Sequence, residues 1–251
     1  MARYVTVASI SHDPYLSHKG NAGGVLDHAG QMLQRAGRFG ADIVSFPEIY
    51  FHRVLEGKPA ELAEPLSGPT LTRLSEEARK NGLHVIAPLY TSEGGRTYNA
   101  SVLISPRGEV IGVYHKKHPT IGEIEDGITP GAEAPVFRTE FGRIGMAICF
   151  DLNFPDLMCG LAENGAEVVF FSSAYRGGLQ LRMWAFQLGV YVVSAILGEL
   201  GLIVDQSGTV LAESTYEQLI AKRINLERRL IHMDFNWDKM DGMLEKHGKF
   251  N

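Results

Sequence analysis

In MAICFDLNFPDL, residues 146–157, an apolar run meets a polar turn. The run ends in Cys149, and an aromatic, an aspartate and a proline-containing turn follow at once. A buried structural cysteine would suit the run before it, but it would not need the polar turn after it. The run reads as a strand over Gly145–Phe150, and Pro155–Asn164 reads as a helix, since proline is tolerated in a first turn. Val168–Ser172 is apolar and β-branched again. Strand, helix, strand favours a parallel βαβ crossover.

Working outward, Val136–Thr139 precedes a turn at Gly142, so Phe137–Phe150 reads as an antiparallel hairpin. Arg3–Phe46 repeats the strand, helix, strand pattern. Its helix, Val25–Arg38, places Val25, Leu26, Ala29, Met32, Leu33 and Ala36 on one face. Further strands are expected at Leu83–Tyr90, Ala100–Ile104, Val110–Tyr114, Val190–Ala195, Leu202–Val204, Val210–Glu213 and Leu219–Asn225. Weaker helical patterns cover Thr70–Lys80 and Gly178–Leu188. Many strands with few helices predict two packed sheets with helices outside, a mixed α/β sandwich in a single domain.

Composition narrows the function. The 251 residues carry a formal net charge of −5, and 45% are hydrophobic. That balance is ordinary for a globular protein and points to neither nucleic acid nor an anionic membrane. The longest apolar stretches, such as Val190–Leu197, fall short of the roughly 18 residues of a membrane span. No basic segment leads into an apolar one at the N-terminus, so no signal peptide is expected, and a cytoplasmic location is. Cys149 and Cys159, the two cysteines, make neither a disulfide framework nor a zinc spacing. Neither a metal nor an organic cofactor is expected.

Three strand ends deliver reactive groups: Ile43–Phe46 runs into Glu48, Val110–Tyr114 into His115-Lys116-Lys117-His118, and Gly145–Ile148 into Cys149. Carboxylate, ammonium and thiol form a coherent chemical set. A neighbouring lysine favours the thiolate, and a carboxylate can accept the proton during attack. The same lysine, with the backbone N–H of Phe150, can stabilise an oxyanion. Each group also has a plainer reading, as a buried small side chain, a loop carboxylate or a solvated basic pair. His115 and His118 read as flanking groups.

Together SFPEIY (45–50), YHKKH (114–118) and RIGMAICFDLNFPDL (143–157) resemble, in that order, the motifs of the nitrilase or carbon–nitrogen hydrolase superfamily. YNASVLISPRGEVIGVYHK (98–116), ITPGAEAPVF (128–137), NGAEVVFFSSAY (164–175) and DQSGTVLAE (205–213) extend the resemblance over roughly residues 3 to 235. It implies a four-layer α-β-β-α sandwich over residues 1–236, with 237–251 as a tail that reaches over a neighbouring subunit or is loosely ordered. It implies Glu48 as general base, Lys116 as stabiliser of the tetrahedral intermediate and Cys149 as nucleophile. A second glutamate is expected before the Pro130-Gly131 turn, where TIGEIEDGITPG (120–131) offers Glu123 and Glu125; distance favours Glu125, which leaves Glu123 to the substrate side, and the choice stays open between them. Phe150, Asn153 and Tyr175 are the remaining substrate-side candidates.

Asn153 stands where many members have arginine, His115 replaces a frequent arginine and Pro119 a usual leucine. Phe150-Asp151 points to an amide-type enzyme acting on a small amide, rather than to a nitrile hydrolase. Nitrile hydrolysis and a catalytically silent scaffold are the alternatives. Arg176 is a further candidate, for a substrate carboxylate. Members pair through outer helices, which here include Pro155–Asn164 and the unusually apolar Gly178–Leu188. A homodimer or dimer-based oligomer is therefore expected.

Overall fold

Four parallel crossovers, two in each sheet, set the architecture. The computed structural model describes residues 2–198, 200–230 and 239–247. The first half runs β1 (Tyr4–Ile10), α1 (Tyr15–His18), α2 (Ala22–Arg38), β2 (Ile43–Ser45), α3 (Pro59–Leu62), α4 (Pro69–Asn81), β3 (His84–Glu93), β4 (Arg96–Ile104) and β5 (Val110–His115). Then come α5 (Ile121–Glu125), β6 (Val136–Arg138), β7 (Arg143–Ile148), a 3-10 turn (Cys149–Asn153), α6 (Pro155–Glu163), β8 (Val168–Ser173) and α7 (Gly178–Leu188). The chain continues through β9 (Tyr191–Ile196), β10 (Leu202–Val204), β11 (Val210–Glu213), β12 (Leu219–Asn225) and α8 (Met240–His247).

Two six-stranded sheets result, in the orders β12-β1-β2-β3-β4-β5 and β11-β10-β9-β8-β7-β6. Each has three central parallel strands, β1-β2-β3 and β7-β8-β9, extended by antiparallel neighbours. The halves are thus built alike, although the sequence shows no repeat. Alternation divides β1: Val5 and Val7 face the second sheet, while Ala8 and Ile10 pack with Val25, Ala29 and Leu33 of α2. Ile144 to Ile148 are all buried, as a central parallel strand demands. One apolar core fills the space between the sheets and beneath α6 and α7, and another lies beneath α2 and α4. The structure is the four-layer α-β-β-α sandwich in one domain.

All twelve expected strands are found, with shifted ends. The largest shift is in the β3–β4 hairpin, which extends to Glu93 and Arg96 rather than stopping at Tyr90 and resuming at Ala100. Its turn is Gly94-Gly95, with φ of +58° and +77°, and a two-residue turn of that kind lets the strands pair to their tips. This carries Asn99 into β4 and hence into the site. The expected tail begins at Trp237, which lies outside the described residues; Met240–His247 within it are helical.

Leu33, fully buried under β1, tests the outer layer. Leu33→Ala is expected to cost about 3 kcal/mol, against under about 0.5 kcal/mol for a surface change such as Gln34→Ala. Urea unfolding midpoints measure the difference.

Candidate active site

Three strands, two from one sheet and one from the other, bring three reactive groups together. Glu48 follows β2, Lys116 follows β5, and Cys149 follows β7. Lys116 is 1% exposed. Its backbone is pinned on both sides, N–H donating to Asn99 O (2.8 Å) and C=O accepting from Gly131 N (2.8 Å). Its Nζ donates to Glu48 Oε1 (2.8 Å) and to both Glu123 oxygens (3.0 and 2.8 Å). Asn99 Nδ2 bridges the same two carboxylates, at 2.9 Å from Glu48 and 2.8 Å from Glu123. Ala174 N–H donates to the other oxygen of Glu48 at 3.2 Å.

Burial alone would lower the affinity of Lys116 for its proton, but Glu48 and Glu123 outweigh it and hold the ammonium above its ordinary range. Burial pulls Glu123 up, yet Lys116, Asn99 and Thr120 bring it below the usual carboxylate range. The cluster of two carboxylates and one ammonium leaves one net negative charge next to Cys149. Burial, and then Glu48, push the Cys149 thiol up to about 12, against the pull of Lys116 and Ser173. The resting sulfur is therefore a protonated thiol.

Lys116 rather than Lys117 enters the cluster; Lys117 instead reaches Asp156 (2.8 Å) at the surface. The expectation for Glu125 is corrected. Thr120 caps α5, so Glu123 occupies the third helical position and folds back onto the Thr120 N–H (2.8 Å) and hydroxyl (3.0 Å) while facing Lys116. Two residues further round a helix is roughly 200° away, and Glu125 is exposed. Glu123 is consequently a partner of Lys116 and Asn99, beyond the substrate-side place expected for it.

Cys149 does not end a strand. β7 stops at Ile148, and Cys149 has φ of +48°, a left-handed conformation that opens the 3-10 turn. Such a conformation in a side-chain-bearing residue persists only where its surroundings over-determine it. Asp151 supplies that constraint. Its carboxylate, fully buried, accepts from Ile148 N (2.9 Å), His118 N (2.8 Å) and Tyr114 Oη (2.6 Å). It thereby ties the cysteine turn in one sheet to the lysine strand in the other.

The substrate-side candidates part company. Tyr175 is partly exposed, and burial followed by the proximity of Cys149 and Glu48 raises its phenol to about 12, which places it at the rim. Phe150 is 38% exposed and stands edge-on to Phe154. Asn153 is corrected: its Nδ2 donates to Phe150 O (3.1 Å) and its Oδ1 accepts from Gln180 Nε2 (3.2 Å), so its amide braces the turn against α7. His118 stacks on Phe154 at 4.0 Å and its Nε2 lies 3.0 Å from Asp156. Residue patterns left Asn99, Asp151, Ser173 and Ala174 unassigned. The Gly94-Gly95 turn was the signal for Asn99.

The chain belongs to the carbon–nitrogen hydrolase family, whose model matches residues 6–228. Among curated relatives, the human deaminated glutathione amidase is 32% identical over 191 residues, 66% of this chain and 58% of that protein. The (R)-stereoselective amidase of a Pseudomonas species is 31% identical over 195 residues, 71% of this chain and 70% of that protein. The chain thus spans less than two thirds of the human relative's length. A variant of the amidase from Nesterenkonia sp. AN1 superposes with a TM-score of 0.77 at 19% identity, covering 97% of this chain and 96% of that one. Its solved structure shows covalent addition of the acetamide moiety of fluoroacetamide at the active-site cysteine.

Asp151→Asn tests the brace, because an amide must turn its NH2 toward one of the three donors. It is expected to lower stability by about 2 kcal/mol or more, and Tyr114→Phe by about 1 kcal/mol, read as shifts in urea midpoint at unchanged m.

Proposed function

We propose that this protein hydrolyses a carbon–nitrogen bond of a small amide through a covalent acyl-enzyme on Cys149. The observation that carries the reading is the buried Lys116 ammonium held between Glu48 and Glu123 beside the protonated Cys149 thiol. A thiol held near 12 does not supply a free thiolate at neutral pH, so attack must be coupled to proton removal. Glu48 accepts that proton as sulfur bonds to the amide carbon. Lys116 and the Phe150 N–H stabilise the oxyanion. On collapse, the C–N bond breaks and the proton passes from Glu48 to the departing amine. Glu48 then takes a proton from water, whose oxygen attacks the thioester, and the acid leaves as the thiol reforms. Glu123 keeps Lys116 charged and fixed in direction throughout.

The amidase relatives and the covalent adduct in the Nesterenkonia enzyme support this reading. The chemistry calls on no metal or organic cofactor. Among the described residues no helix is long and apolar enough to cross a membrane, and both thiols are free, which favours a reducing, cytoplasmic setting. Ammonia release from a panel of small amides, N-carbamoyl amino acids and nitriles decides the matter. Turnover of amides is expected, falling to background in Cys149→Ala and by about a hundredfold or more in Glu123→Gln, while Glu125→Gln stays near wild type. Turnover confined to nitriles would replace the reading with nitrile hydrolysis, and none at all would favour a silent scaffold.

The reading includes a second copy of the chain. On α7, Leu181 is buried and the Trp184 indole donates to Leu152 O, whereas Leu179 (68%), Met183 (49%) and Phe186 (64%) are exposed at i, i+4 and i+7. An apolar stripe of this kind is characteristic of an interface. Sedimentation velocity at micromolar concentration is expected to show a dimer or larger, dissociating in Phe186→Glu. A single 27.6 kDa species in the wild type would refute the assembly.

A further inference from the structure

The segment between β1 and α2, together with α2 itself, carries three histidines that the chemistry above does not use. His12 follows β1, His18 ends α1 and His28 lies on α2. Their rings cluster, with centroids 4.5 Å apart for His12 and His28, 5.6 Å for His18 and His28, and 6.4 Å for His12 and His18. The nitrogens do not converge on a common point; they face hydroxyls and an amide. Tyr50 Oη lies 2.9 Å from His12 Nδ1 and 2.9 Å from His28 Nδ1. His28 Nε2 faces Gln218 Oε1 at 2.9 Å. Ser17 Oγ stands 3.2 Å from His12 Nε2 and 2.7 Å from His18 Nδ1.

Proton counting gives these bonds one direction. A carbonyl oxygen only accepts, so Gln218 requires the proton of His28 on Nε2, and His28 Nδ1 accepts. The single phenolic proton of Tyr50 therefore goes to His28, and His12 must donate to Tyr50 from Nδ1. His12 Nε2 then accepts from Ser17, which accepts in turn from His18 Nδ1. The chain His18–Ser17–His12–Tyr50–His28–Gln218 satisfies every partner with His12 and His28 neutral. Burial first, and then His28 and His18, lower His12 to about 4, and burial likewise lowers His28, so both stay neutral at ordinary pH. Asp13, itself 3.5 Å from Arg53, raises His12 slightly, and Arg35 works against a charge on His28.

The hub of this chain is two residues from Glu48. Tyr50 is fully buried, with its ring against Phe46 and Phe51 at 5.2 Å each. Between it and Glu48 sits Ile49 at φ of +45°, a left-handed conformation that a β-branched residue rarely adopts. A strained residue so placed needs fixed points on both sides. On one side Glu48 is held by Lys116, Asn99 and Ala174; on the other, Tyr50 is held by His12 and His28. We propose that His12, Tyr50 and His28 form a one-directional hydrogen-bond brace that positions Glu48, making all three positioning residues for the proton transfer from Cys149. The brace joins the end of β1, α2 and the segment before β12 to the glutamate loop.

This inference rests on the reading of Glu48 as acceptor of the Cys149 proton, and its test needs no substrate. Alkylation of Cys149 by iodoacetamide reports the same proton transfer. At pH 7.5, Tyr50→Phe and His12→Leu are expected to slow it by about ten- to a hundredfold. His12→Asn, which restores a donor at the Nδ1 position, is expected to recover most of the rate. Where an amide is turned over, kcat should fall in parallel with KM unchanged. Nitrogen-15 shifts should show His12 protonated on Nδ1 and His28 on Nε2 in the same folded protein. Wild-type alkylation rates in Tyr50→Phe, equal rates in His12→Leu and His12→Asn, or Nε2 protonation of both histidines would each overturn the proposal. Absent amide turnover with slowed alkylation would instead overturn the amidase reading and leave the brace standing.

Discussion

A lysine ammonium at 1% exposure must be paired, and most of the site follows from how this one is. A buried charge left without partners would shed its proton, because moving an ion out of water costs far more than neutralising it. Lys116 keeps its proton by accepting confinement between two carboxylates, each of which is anchored independently. Glu48 is anchored by Asn99 and the Ala174 N–H, and Glu123 by its own helix cap. The result is a rigid charged triplet, formed before any substrate arrives. That is the condition under which electrostatic stabilisation requires no reorganisation during reaction.

The same triplet explains the state of the thiol. In many cysteine enzymes a lysine or histidine produces a resting thiolate. Here two carboxylates outnumber one ammonium, and burial and Glu48 together keep the proton on sulfur. In the reaction proposed above, nucleophile activation therefore runs through Glu48, which makes the placing of that carboxylate beside the thiol decisive. Two of the left-handed residues lie beside the proposed proton partners, Ile49 next to Glu48 and Cys149 itself. A buried polar group lies next to each in the chain: Asp151 under the cysteine turn, and Tyr50, hydrogen-bonded to His12 and His28, after Ile49.

Much of this was legible along the chain. Each strand could be read because apolar and β-branched runs identify buried strands locally, and α2 because its apolar stripe repeats at helical spacing. Two of the four crossovers, β1-α2-β2 and β7-α6-β8, followed from strand–helix–strand order. Glu48, Lys116 and Cys149 were marked by position at strand ends and by motif. What went astray were choices that depend on direction. Glu123 and Glu125 are equally acidic and two residues apart, and only the cap at Thr120 determines which faces the lysine. Asn153 looked like a pocket residue until Gln180, from another element, was seen to take its amide oxygen.

Local periodicity and short motifs were enough for the layers, for the strand–helix–strand crossovers, and for naming Glu48, Lys116 and Cys149 as candidates, because each is encoded within a few neighbouring residues. Long-range packing decided that Asn99 bridges two carboxylates and that Asp151 joins the two sheets. It also decided that histidines from β1's end and α2 meet over Tyr50. These are contacts between residues far apart in the chain, some 20 to 50 positions in most cases. Their geometry is set by how sheets and helices pack, which no local pattern records.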